Sequence, residues 1–81
     1  MNVQIFPTYF AAGGQVASNP AILGGRPAFA GTRVPVEALF DYLADGLSLD
    51  YFLESFPSVS RERAVAVLKY GHQRIADELP A

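Results

Sequence analysis

Thirteen residues, Gly24-Gly25-Arg26-Pro27-Ala28-Phe29-Ala30-Gly31-Thr32-Arg33-Val34-Pro35-Val36, restrict what this chain can fold into more than any other stretch. Gly24-Gly25 suits a tight reversal, because glycine reaches positive φ without steric cost. Gly31-Thr32 offers a second turn. The segment between them, Arg26 to Ala30, is long enough for one short strand, with Pro27 suited to an edge. Pro35 fits the first position of a helix, where its missing N–H costs nothing. The stretch therefore predicts strand, turn and helix entry, with a different kind of chain on either side. Residues 1–25 carry no charged side chain, and everything after residue 34 reads as helix.

On the helical side, Val36, Leu39, Phe40 and Leu43 recur at i, i+3, i+4 and i+7, predicting a first helix from Pro35 to Ala44 that Gly46 ends. Ser48 caps a second from Leu49 to Ser55, with Asp50 in its first turn and Pro57 as its stop. Ser60 caps a third from Arg61 to Glu78. On it Ala64, Val67, Leu68, Gly71 and Ile75 share one face, and Gly71 reads as a close approach to another helix. The expected core is Leu39, Phe40, Leu43, Phe52, Leu53, Phe56, Leu68 and Ile75. The second and third helices begin twelve residues apart, the spacing of a helix-turn-helix. On the N-terminal side, Val3–Phe6 and Thr8–Phe10 have strand composition, and Gly13-Gly14 leads to a return strand at Gln15–Ala17. The expected fold is mainly α: a three-helix, helix-turn-helix-like bundle with a small N-terminal β-hairpin or strand. Residues 1–17 form an arm, 18–78 the domain and 79–81 a tail. The arm is either a partner-binding strand or a tail without fixed contacts.

The run Asn19-Pro20-x-Ile22-x-Gly24-Gly25-x-Pro27-x-Phe29-x-Gly31-Thr32-Arg33-Val34-Pro35-Val36 resembles the signature of the bacterial family catalogued as domain of unknown function 433. Gly46, Ser48-Leu49, Phe56-Pro57 and Ser60 continue the likeness, which spans residues 18–76. The resemblance implies a homeodomain-like three-helix fold and an antitoxin-like regulator. Such a regulator would bind a PIN-like nuclease toxin and, through its third helix, operator DNA. The alternative is a protein-interaction or dimerisation module without DNA binding. The motif residues Gly24, Gly25, Pro27, Gly31, Thr32, Arg33 and Pro35 are read as structural.

Charge divides the chain further. Arg63, Lys69, Tyr70, Gln73 and Arg74 share the exposed side of the third helix with no acid among them. Arg61 joins them at the helix start, where a DNA-reading helix presents side chains to base edges. Either this face contacts DNA or it is an ordinary solvated surface. Glu62 among these cations opposes phosphate binding, and three or four cations per copy give weak affinity. Glu37, Asp41 and Asp45 recur every four residues on the first helix. They form a solvated face, a dock for a basic partner, or carboxylates for a hard cation such as Mg²⁺. Nothing near them completes a metal site. His72 is the sole histidine and is read as structural, so no cofactor, metal or catalytic group is expected and the chain is not read as an enzyme. Arg33 suits a half-buried bidentate pair at the strand–helix corner, or else a phosphate contact.

At 81 residues without cysteine, one small core without staples must suffice, and 51% apolar residues exceed what so small a core can hide. A homodimer is therefore expected. The formal charge of −2 argues against strong non-specific DNA binding. No signal peptide or membrane span is legible, which makes the cytoplasm the expected compartment.

Overall fold

The computed structural model describes residues 7–79, so the strand expected at Val3–Phe6 lies outside the described residues. Three short strands, β1 (Tyr9–Ala11), β2 (Val16–Ser18) and β3 (Ala28–Phe29), precede three helices, α1 (Val36–Ala44), α2 (Leu49–Ser55) and α3 (Arg61–Glu78). The strands form one antiparallel sheet in the order β1-β2-β3. Register pairs Phe10 with Ala17 and Ala17 with Ala28, while Ala11 faces Val16 and Val16 faces Phe29. Because side chains alternate across a strand, Ala11, Val16 and Phe29 point to one face and Phe10, Ala17 and Ala28 to the other.

Two X-Gly-Gly segments shape the sheet. Ala12-Gly13-Gly14 and Leu23-Gly24-Gly25 each place three successive residues at positive φ, from 54° to 88°. Each turn closes with a backbone bond from the following residue, Gln15 N–H to the Ala12 carbonyl and Arg26 N–H to the Leu23 carbonyl, both 3.2 Å. A left-handed turn of this kind is tolerable because two of its three residues lack a Cβ. The Ser18 hydroxyl donates to the Gly25 carbonyl at 2.6 Å and ties the second turn to β2. After β3, the Thr32 hydroxyl donates to the Phe29 carbonyl (2.8 Å) and accepts from Val34 N–H (3.1 Å). Phe29 N–H reaches the Val34 carbonyl at 3.0 Å, and Val36 N–H reaches the Pro27 carbonyl at 3.0 Å. The Gly-Thr-Arg-Val-Pro string is thus a hairpin that covers the outer edge of β3 and delivers the chain into α1.

The helices start and stop where the caps dictate. Ser48 accepts from Tyr51 N–H at 3.0 Å and Ser60 from Arg63 N–H at 3.1 Å. Pro35, expected as the first helical residue, is instead the cap of α1, with an extended ψ of 140°. Gly46 stands at φ 84° just beyond α1.

Phe29, Leu39 and Phe52 are fully buried, joined by Val34, Val59, Ala64 and Val67. Phe52 is the hub: its ring centroid lies 5.0 Å from Phe56, 5.4 Å from Tyr42 and 6.0 Å from Phe29. Two expected core residues are exposed, Phe40 at 42% and Ile75 at 62%. Phe40, on α1, has its ring against Gly71, which carries no side chain to cover it; for Ile75 the reason is length. At ~1.5 Å per residue, an 18-residue α3 is twice as long as the nine-residue α1, so its last turns outrun the body. His72, expected at the core boundary, is exposed for the same reason. Gly71 meets the Phe40 ring rather than another helix backbone: a Cβ there would sit 3.7 Å from Phe40 Cζ, ordinary contact. Gly71→Ala should therefore stabilise the domain by about 0.5–1 kcal/mol, through lower unfolded-state entropy and better helix propensity. Thermal unfolding by circular dichroism should show a midpoint raised by several degrees; a lowered midpoint would mean that the site needs the missing side chain.

Candidate partner and nucleic-acid surfaces

The positively charged face expected on α3 is largely spent inside the chain. Arg63 is half-buried and turned toward the sheet. Its Nε donates to Gln15 Oε1 at 3.0 Å, and its Nη1 donates to the Ala30 carbonyl. This guanidinium bridges α3, the turn before β2 and the end of β3, so Arg63 is corrected from a surface contact to a strut. The signal was visible only as a long side chain; nothing in the helical period shows that it crosses to residues 33 and 48 positions away. Arg61 pairs with Asp50 of α2. Both side chains are mostly exposed, so this ion pair adds about 0–1 kcal/mol and can exchange for another anion. Gln73 donates to Asp77 at 2.8 Å, which brings an acid beside the face that read as acid-free. Lys69, Tyr70 and Arg74 remain exposed, with no hydrogen bond or ion pair among the described residues.

The acidic stripe lies on α1. Glu37 pairs with Arg26, the residue that follows the Gly24-Gly25 turn. Asp41 and Asp45 are exposed, Asp45 capping the end of the helix. Glu37 and Phe40 line a shallow hollow of about 330 Å³ with Arg26, Pro27, Pro35 and Val36. The exposed Phe40 thus lines a hollow with an ion-paired rim, and Asp41 and Asp45 on the same helix have no ion pair among the described residues. Among the described residues no three His, Asp or Glu side chains gather where they could hold a metal ion.

A second concavity of about 340 Å³ lies on the outer face of the sheet, over Phe10, Ala17, Ala28 and Ile22. Arg33, expected in a bidentate pair at the strand–helix corner, stands at its rim instead. It is exposed and has no partner among the described residues. The corner is held by Thr32 and backbone bonds, which leaves Arg33 without a structural task there. The other motif residues do act structurally: Gly24, Gly25 and Gly31 at positive φ, Pro27 and Pro35 at the ends of the β3 hairpin. Sequence reasoning missed Phe10 and Phe29 as opposite faces of one sheet. The β3 register decides it, and two-residue strands have no legible period.

These features define a small mixed domain, three helices of helix-turn-helix spacing carrying an antiparallel sheet on their N-terminal side. Residues 16–71 match the family described as protein of unknown function (DUF433), and the chain belongs to that family. It is also similar to "Uncharacterized protein y4eO" of Sinorhizobium fredii (strain NBRC 101917 / NGR234), 38% identical over an alignment of 72 residues that covers 80% of this chain. The match spans 33% of that relative's length. No solved structure matches. No helix among the described residues is long and apolar enough to cross a membrane.

Proposed function

We propose that this chain is the partner-binding module of an antitoxin-like regulator, holding a PIN-like nuclease against the α1 face formed by Phe40, Glu37, Asp41 and Asp45. The observation that carries this reading is the exposed apolar surface. On the α1 face Phe40 is 42% exposed and lines a hollow with Pro27, Pro35 and Val36. Such a surface marks contact with another protein. Beside Phe40, the free carboxylates select a basic partner and steer its approach. Contact with operator DNA is the second reading. It is favoured by the open Lys69, Tyr70 and Arg74 and is limited by the internal use of Arg63.

Separate substitutions divide the two. Phe40→Ser removes a half-exposed anchor and should weaken nuclease binding at least tenfold, about 1.4 kcal/mol, in a calorimetric titration. Asp41→Lys should slow association more than it speeds dissociation, read by stopped flow. Lys69→Ala and Arg74→Ala should leave the nuclease affinity unchanged and remove what DNA binding there is. If Phe40→Ser and Asp41→Lys bind the nuclease like the parent, the α1 face is the wrong surface.

A further inference from the structure

The groove on the outer face of the sheet and the free end of α3 are complementary, and both belong to the same chain. Phe10, Ala17 and Ala28 stand in one row across the three strands. With Ile22 they make the groove apolar. Its polar lining is committed elsewhere: Asn19 donates to Thr8 at 3.0 Å, Thr32 holds the Phe29 carbonyl and Arg26 pairs with Glu37. Arg33 is the charged group left over. No acid lines the groove, and residues 1–36 contain no acid at all. At about 340 Å³ the groove is at the small end of the range that holds a ligand, sized for a few side chains rather than a whole element.

At the other end of the molecule, every residue from His72 to Leu79 is exposed. Ile75 and Leu79, 62% and 67% exposed, lie four residues apart on one side, with Glu78 on the flank beside them and Asp77, which accepts from Gln73, on the opposite side. Beside these two aliphatic side chains Glu78 supplies an acid, where the groove offers Arg33.

We propose that a second copy of this chain fills the groove: the Ile75–Leu79 end of one copy seats its aliphatic side chains against Phe10 and Ala17 of the other, with the Glu78 carboxylate facing Arg33. Two such contacts related by a twofold axis close the pair and leave no unsatisfied copy of either patch. The contact is separate from the α1 face and stands or falls independently of the nuclease reading.

Sedimentation equilibrium of the full chain, from about 1 to 100 µM, tests it. The parent should show a monomer–dimer equilibrium. Arg33→Glu, and separately Glu78→Arg, should each weaken dimerisation about tenfold or more, and the combined double variant should recover most of the loss. All these residues are exposed, so circular dichroism should show unchanged folding. A parent that stays monomeric at 100 µM overturns the proposal. So does a dimer indifferent to both charge reversals, or one lost only on Tyr9→Pro, which would place the contact at the β1 edge.

Discussion

Phe52→Ala should unfold the domain or bring it to the edge of unfolding. The ring is fully buried and touches aromatic rings from β3, α1 and the end of α2, so its loss leaves a cavity bounded by three separate elements. Such a truncation costs about 3–5 kcal/mol, depending on how far the walls collapse. The walls here are stiff: Phe29 is anchored by β3 pairing, and the short α2 is held by caps at both ends. A small domain has a total stability of roughly 5 kcal/mol to lose. Urea unfolding followed by circular dichroism should give a variant already in transition at zero denaturant. A variant melting with the parent would place Phe52 at the surface and break the core as described.

Arg63→Ala has the next largest expected effect, and it separates a strut from a DNA contact. Its guanidinium serves the Gln15 side chain and the Ala30 carbonyl, the latter on a residue only 8% exposed. Removing it leaves that carbonyl unsatisfied, at a cost of about 1–3 kcal/mol. The loss should loosen the sheet first, since α3 retains its Ser60 cap. Amide hydrogen exchange should therefore speed up in β2 and β3 before the helices. Arg63→Lys should recover only part of the loss, because a single ammonium cannot reproduce the two-pronged contact. Were Arg63 a phosphate contact, Arg63→Ala would melt with the parent and lose affinity for every duplex alike.

The helices were legible because their ends are written in side chains. Ser48, Ser60 and Pro57 act within one turn, so the bounds of α2 and α3 follow from local chemistry alone. The hairpin around Gly31-Thr32 was legible for the same reason. The core was read only from the helices, and so Phe29 was missed: a two-residue strand shows no alternation, and its burial depends on a register fixed by two left-handed turns. The opposite error, placing Ile75 inside, came from a correct period on a helix longer than anything it packs against, whereas Phe40, on α1, meets the side-chain-free Gly71. For the candidate site the limit is reach. A helical wheel gives the direction of a Cβ, whereas Arg63 carries its charge several bonds farther, back to the sheet, and Arg33 carries its charge away from the corner it was expected to fix. Charge along the sequence therefore overstated the cationic face of α3 and understated that of the groove.

The most direct test of a protein-binding rather than a DNA-reading role is a paired titration of the parent protein, across a salt series. One arm uses the duplex upstream of its own gene, the other a PIN-like nuclease encoded beside it. The account predicts tight nuclease binding that weakens moderately with salt, mainly through slower association as the α1 carboxylates are screened. For the duplex it predicts weak binding, with a log–log slope near −2 per copy, about −0.9 for each of Lys69 and Arg74. Tight duplex binding with a steeper slope that Arg61→Ala and Arg63→Ala reduce, together with no affinity for the nuclease, would contradict it.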